Sequence, residues 1–128
     1  MSRYLPAFQR HAPTPPQLYD LEELCERSGV LELHLVRKDI DRLHITFSDH
    51  LGFRKAGESD ALVTLDAIAA TSQPGRSFYF VEDSDYVRWF VDQGHGIQRA
   101  ESLRHIAFVT IDDVIDVISL GLPSVVVP

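Results

Sequence analysis

The sequence has few of the features that assign a chain to a specialised class of protein. Its 128 residues contain one cysteine, Cys25, which excludes an internal disulfide and favours a reducing compartment. Its apolar runs, such as residues 106–109, are too short to cross a membrane. Residues 1–6 lack the apolar segment of a secretion signal. These features predict a cytoplasmic protein that does not associate with membranes.

Sequence motifs of catalysis are also missing. The chain contains no G-x-S-x-G nucleophile motif, no H-E-x-x-H zinc motif, no C-x-x-C pair and no phosphate-binding P-loop. Hydrophobic residues make up 45% of it, which is enough for a domain of this length to fold without a metal or a disulfide. We therefore expect one folded domain that needs no cofactor and works by binding rather than by catalysis.

Basic residues are scarce in the second half of the chain. Residues 1–57 carry eight Lys or Arg and eight Asp or Glu, whereas residues 58–128 carry four Arg and eleven Asp or Glu. The whole net charge of −7 therefore comes from residues 58–128. An acidic surface repels the phosphates of nucleic acids and attracts basic proteins. The charge pattern predicts a basic protein partner and argues against direct nucleic-acid binding.

The N-terminal region predicts an arm followed by a helix. Residues 1–13 lack periodicity and are interpreted as an arm, with a single domain over residues 14–128. Thr14 and Gly29 are residue types that begin and end helices. The apolar residues between them share one helical face: Leu18, Leu21, Leu24 and Cys25.

Alternating apolar residues in segments 31–35 and 43–47 predict an antiparallel β-hairpin with one buried face. His34 and His44 fall on the other face, and a register that pairs them brings Glu32 close. Two histidines and a carboxylate are a ligand set for zinc. The alternative is that these are polar residues on a solvated face of the sheet.

Three continuous apolar runs, at residues 78–81, 106–109 and 125–127, are typical of central parallel strands. Ser84 has the position of a helix N-cap between the first two runs. Residues 110–113 have the spacing of a capping box that begins a second helix.

The predicted fold class is therefore α/β, with a mixed sheet. An N-terminal helix and an antiparallel hairpin come first, and a further helix capped by Ser59 follows. A β-α-β-α-β unit with helices on the sheet faces completes the domain.

The helix predicted after Ser84 is apolar around most of its circumference. This pattern predicts a helix in the core, with Trp89 and Phe90 buried. The alternative is an aromatic face that waits for a partner. His95 lies between two glycines where the helix should end, so it is interpreted as part of a C-cap, with a catalytic loop as the alternative.

Acidic residues follow two of the predicted central strands: Glu82, Asp83, Asp85, Asp112, Asp113 and Asp116. If those strands are parallel, both groups project from the same edge of the sheet. Three interpretations stay open. The acids cap helices, they form a recognition face for a basic partner, or Asp83, Asp112 and Asp113 bind Mg²⁺.

The segments SFYFVEDSDYVRWF at 77–90, HI at 105–106 and TIDDVIDV at 110–117 resemble small bacterial immunity proteins encoded beside polymorphic toxins. The resemblance covers roughly the last fifty residues. It implies a cytoplasmic inhibitor that covers the active site of a toxin. It assigns no functional residues, because immunity proteins have many unrelated folds.

The sequence thus predicts a non-catalytic, protein-binding inhibitor of the immunity or antitoxin kind, which uses the six acids against a basic toxin domain. The alternative is a Mg- or Mn-dependent hydrolase or phosphoryl-transfer enzyme that uses the same acidic edge. The sequence leaves homo-oligomerisation open.

Overall fold

The computed structural model describes residues 1–8, 17–72 and 75–128, which fold mainly into antiparallel β-sheet. Two α-helices, α1 (Leu62–Thr71) and α2 (Asp85–Gln93), lie within these ranges, with short 3₁₀ helices at Glu58–Asp60 and Ala100–Ser102. The strands are β1 (Arg3–Pro6), β2 (Asp20–Arg27), β3 (Val30–Arg37), β4 (Asp41–Phe47), β5 (His50–Gly57), β6 (Phe78–Glu82), β7 (Arg104–Val109), β8 (Asp113–Ser119) and β9 (Ser124–Val126).

The strands form two sheets that pack face to face. One has five strands in the order β1-β6-β7-β8-β5, the other has four in the order β2-β3-β4-β9, and all neighbours are antiparallel. The core between the sheets is built from alternate residues of their central strands: Leu31, Leu33, Leu35, Leu43, Ile45, Phe47, Phe78, Ile106, Phe108, Ile115 and Val117.

The two helices cover the other face of the five-stranded sheet and make a third layer. Ile68 of α1 packs in a cluster with Tyr79 of β6, while Tyr86 and Val87 of α2 pack against Ile118 of β8. The α2 helix therefore lies over the end of the sheet where β6 ends and β7 begins. None of the helices in the described ranges is long and apolar enough to span a membrane.

The predicted β-hairpin is confirmed. Strands β3 and β4 pair in the register that places His34 opposite His44, and the alternate apolar residues of both strands are buried. The helix cap at Ser84 is also confirmed, because the Val87 N–H donates a hydrogen bond to Ser84 Oγ over 3.0 Å. The cap at Ser59 is wrong, since α1 begins at Leu62 and no side chain caps it.

The predicted N-terminal helix is wrong. Residues 14–16 lie outside the described ranges, and the rest of that segment contains strand β2. A β-bulge between Leu21 and Glu23 adds one residue to the strand. It lets Leu21 and Leu24, three positions apart, both reach the core, which imitates the spacing of a helix. Gly29, with φ of +78°, closes the tight turn into β3 instead of ending a helix.

The helix predicted after residue 110 is also wrong, because that segment forms strand β8. Both faces of β8 are buried, one by the opposite sheet and one by the helices, so the apolar residues are nearly continuous and mimic a helical stripe. The capping-box residues make a turn: the Asp113 N–H donates to Thr110 Oγ1 over 3.0 Å.

The α/β fold class with parallel central strands is therefore a wrong prediction. Strands make up 49% of the described residues, and β6, β7 and β8 are antiparallel neighbours. Continuous apolar strands are typical of parallel sheets because helices cover both faces of those sheets. Here a second sheet and two helices bury the faces of the five-stranded sheet in the same way.

Candidate functional site

A cleft of about 460 Å³ separates α1 from α2 on the outer face of the five-stranded sheet. Its α1 wall is built from small side chains, among them Thr64, Ala67 and Ala70. Tyr86 of α2 forms part of the opposite wall, and Arg54 of β5 belongs to the lining. The volume lies within the range of small-ligand sites, and both apolar and polar groups converge on it.

A buried chain of hydrogen bonds runs beneath this cleft. Ser84 Oγ lies 2.6 Å from His105 Nδ1, and His105 Nε2 lies 2.7 Å from Asp116 Oδ1. Arg54 Nε donates to the second oxygen of Asp116 over 2.9 Å. The side chains of His105 and Asp116 are 1% and 5% exposed. Each atom of the chain has a partner when His105 carries its hydrogen on Nε2 and accepts a hydrogen bond from Ser84.

Asp116 is the charged centre of this chain. Burial alone would raise the pKa of its carboxyl group, but the hydrogen bond with His105 and the neighbouring Arg54 guanidinium outweigh burial. The pKa of Asp116 is therefore below its ordinary value, and the carboxylate is ionised at neutral pH.

Arg54 is held in place by two contacts. Its Nε is bound to Asp116, and its guanidinium carbon lies 4.0 Å from the centre of the Tyr86 ring. Tyr86 in turn packs edge-on against His105, with ring centres 5.4 Å apart. Burial raises the pKa of Tyr86, so its hydroxyl stays neutral at physiological pH. The side chain of Arg54 is still 53% exposed, which leaves part of the guanidinium open to a ligand.

The order serine, histidine, aspartate also occurs in hydrolases, but the surroundings of Ser84 differ from those of a nucleophile. Ser84 is 7% exposed, and its Oγ already accepts the Val87 N–H as the cap of α2. A nucleophile needs an open approach for its substrate. The arrangement supports a structural role for Ser84 and His105 beneath the cleft.

The structure places the first acidic group, which consists of Glu82, Asp83 and Asp85, at the start of α2. Salt bridges neutralise its charge there. Glu82 pairs with Arg3 at 2.6 Å, and Asp83 pairs with Arg88 at 2.6 Å. Asp85 is bound by Arg88 and by the hydroxyl of Ser2, 3.2 Å from its Oδ2. Hydrogen bonds from the N-terminal ammonium and from Arg88 lower the pKa of Asp83, and the hydrogen bond from Arg88 lowers the pKa of Asp85.

Asp112 and Asp113 of the second acidic group lie at the opposite end of the sheet, because β6 and β7 are antiparallel. Asp113 pairs with Lys55 at 3.3 Å, Asp112 is exposed, and Asp116 is buried in the middle of β8. From residue 104 to residue 110 a strand rises by about 20 Å, which separates the two groups. The common acidic edge is therefore a wrong prediction.

The proposed Mg²⁺ ligands Asp83, Asp112 and Asp113 are divided between these two ends. No group of three or more His, Cys, Asp or Glu side chains in the described part of the chain has an arrangement that would hold a metal ion. The geometry therefore gives no support to the metal-dependent alternative.

The sequence predicts Trp89 in the core, but it is 55% exposed. It stacks on Tyr86 with ring centres 5.9 Å apart, so it stands at the side of α2 nearest the cleft lining. Asp85 and Asp92, four positions before and three after it on the helix, are its neighbours on the surface. The apolar side of α2 that packs on the sheet is formed by Val87, Phe90 and Val91 with Tyr86.

The histidines singled out in the sequence lie away from the cleft. His34 and His44 stack with ring centres 4.0 Å apart on the outer face of the four-stranded sheet. Glu32 is 3.4 Å from His34, but this set is not a metal site by its geometry. His95, with φ of +51°, and Gly96 form the turn after α2, as a C-cap requires.

Sequence reasoning missed Arg54 and His105. They come from different strands, and no motif links residues 54, 84, 105 and 116. One signal was available: Asp116 is a polar residue inside an otherwise apolar run, which marks it as buried and hydrogen-bonded. No protein-family profile, curated protein or solved structure matches this chain.

Proposed function

We propose that the chain is a non-catalytic protein-binding protein that docks its partner on the exposed side of α2 beside the cleft. The observation that carries this proposal is Trp89. Large aromatic side chains dominate the binding energy of protein interfaces, and this one is half exposed on a helix whose other side is anchored in the core.

The charge around Trp89 favours a basic partner. Asp92 flanks it on α2 and has no ion partner among the described residues, and the chain as a whole carries a charge of −7. The exposed face of an indole ring also attracts Arg and Lys side chains. Acidic groups around an aromatic anchor would steer a basic protein to this surface.

The resemblance to immunity proteins gives the proposal its specific form, a cytoplasmic inhibitor of a basic toxin domain. Such an inhibitor would bind over the active site of the toxin and neutralise it. The acid proposed to contact the toxin is then Asp92, because Asp83 and Asp85 near the start of α2 are already paired with Arg88.

Co-expression with a basic toxin domain tests the proposal. The wild-type chain should restore growth, and the purified pair should form a complex. Trp89→Ala should raise the dissociation constant of that complex at least tenfold. Ile40→Ala is the matched control, because Ile40 is 58% exposed on the β3–β4 turn of the other sheet. Equal effects of the two variants would contradict the assignment of α2 as the interface.

A further inference from the structure

We infer that the cleft between α1 and α2 is a receptor for a carboxylate of the partner protein that lies next to an apolar group, with Arg54 as the residue that binds it. This inference rests on the proposed function and adds the chemistry of one contact.

The guanidinium of Arg54 is prepared for such a ligand. Nε is held by the buried Asp116, and the group lies over Tyr86, so the plane of the fork is fixed before binding. The two terminal nitrogens have no hydrogen-bond acceptor among residues 1–8, 17–72 and 75–128. A planar fork with free N–H groups recognises a carboxylate through two parallel hydrogen bonds.

A continuous series of hydrogen bonds supports Arg54 from beneath. Asp116 is bound by His105, His105 is bound by Ser84, and Ser84 caps α2. Arg54 therefore loses little conformational freedom when it binds a ligand. Asp116, His105 and Ser84 act through Arg54 and are positioning residues.

The remaining lining specifies an apolar group beside the carboxylate. Val63, Ala67 and Ala70 of α1 leave room opposite Tyr86. Asp85 also lines the cleft, but its charge is paired with Arg88. Asp66 is the acidic residue of the lining that has no ion partner within the described ranges, and its charge would oppose a carboxylate.

A basic partner is compatible with this contact. Its overall charge would govern the rate of encounter, whereas one carboxylate seated on Arg54 would fix its orientation. The two contacts therefore have separate experimental signatures.

The first test uses N-acetyl-leucine, which carries a carboxylate beside an apolar side chain, and its neutral amide. The chain has one tryptophan, Trp89, and it stacks on the ring beneath Arg54, so its fluorescence reports binding. N-acetyl-leucine should bind with a dissociation constant on the order of a millimolar. The amide should bind at least tenfold more weakly, and inorganic phosphate, which has no apolar group to fill the cleft, should also bind more weakly than N-acetyl-leucine.

Variants separate the contact from a general charge effect. Arg54→Lys keeps the positive charge but loses the planar guanidinium fork. It should lower the affinity for N-acetyl-leucine at least tenfold. Ala67→Phe leaves the polar chain and the single tryptophan unchanged, fills part of the cleft and should abolish binding. Asp66→Asn should strengthen binding about threefold by removing repulsion. Arg104→Ala is the control, since Arg104 is exposed and precedes His105 on the opposite face of β7.

Equal binding of acid and amide, or an unchanged affinity in Arg54→Lys, would overturn the inference. The partner itself gives the second test. Arg54→Lys should weaken the complex at least tenfold, and an unchanged complex would show that the carboxylate does not come from the partner. If Trp89→Ala weakens the complex while Arg54→Lys does not, the proposed function stands and this inference fails.

Discussion

At the scale of single residues, the strongest constraint is the buried chain from Ser84 to Arg54. It carries one negative charge, Asp116, into a sheet that is otherwise apolar, and such a charge persists only with partners on both oxygens. The sequence signals that Asp116 is unusual but not which residues satisfy it. Its partners come from positions 11 and 62 residues away, and only the folded sheet brings them together.

The Ser84 hydroxyl makes two hydrogen bonds, and its removal should destabilise the fold through the loss of both. We expect Ser84→Ala to lower the free energy of unfolding by about 1–3 kcal/mol, because α2 loses its cap and His105 Nδ1 loses its partner. Ser59→Ala should change it by no more than about 0.5 kcal/mol, since Ser59 caps no helix. Urea unfolding of both variants measures the difference. A larger loss of unfolding free energy from Ser59→Ala would support the sequence prediction that Ser59 caps a helix.

Asp116 should make stability depend on pH in the acid range. Its pKa is lower in the folded chain than in the unfolded chain, so its ion pairs stabilise the fold above the ordinary aspartate pKa of about 4. That stabilisation is lost as the pH falls through the lower pKa of the folded state. Between about pH 5 and pH 2, the unfolding free energy of Asp116→Asn should therefore decrease less than that of the wild type. Parallel curves for the two proteins would show that Asp116 titrates normally.

At the scale of elements, hydrophobic periodicity correctly identifies the secondary-structure elements that have one buried face. The β3–β4 hairpin shows clean alternation because its outer face is polar, so the sequence predicts the hairpin and its buried face; the structure adds the register that places His34 opposite His44. The β8 strand was mistaken for a helix because both of its faces are buried and alternation disappears. The β2 strand was mistaken because one bulge residue shifts the apolar positions from spacing two to spacing three.

The α2 helix allows a direct test of which side faces the core. Phe90 packs in the cluster beneath the helix and lies close to Gly52, where a Cβ would approach its ring to 3.3 Å. Phe90→Ala should cost about 2–4 kcal/mol. Trp89→Ala should cost only about 1 kcal/mol, mainly the stacking on Tyr86. Thermal or urea unfolding decides the order, and the emission of the folded chain should be that of a solvent-exposed tryptophan. A larger stability loss from Trp89→Ala than from Phe90→Ala would indicate that Trp89 lies in the core.

At the scale of the whole molecule, the arrangement of the sheets determines where the charge lies. The sequence correctly indicates that the excess negative charge belongs to residues 58–128, but it places the acids at one edge by assuming parallel strands. The antiparallel order of β6, β7 and β8 sends the acids to opposite ends. The choice between these arrangements depends on contacts between distant segments, which local periodicity does not encode.

This separation predicts that charge reversals at the two ends will affect association differently. Asp92 on α2 and Asp112 in the β7–β8 turn are both exposed and have no ion partner among the described residues. Asp92→Lys should slow association with a basic toxin domain about five- to tenfold at low salt, because the charge lies beside Trp89. Asp112→Lys should change the rate by less than about twofold at physiological salt, since the ends are about 20 Å apart and charges are screened over about 8 Å.

Stopped-flow or surface-based kinetics at two salt concentrations measures both rates, and thermal melts verify that each variant is folded. The effect of Asp92→Lys should shrink as salt rises, and the dissociation rate should change less than the association rate. Equal slowing by both variants would mean that the net charge of −7 steers the partner without a localised interface. Slowing by Asp112→Lys alone would move the interface to the opposite end of the sheet, away from α2 and the cleft.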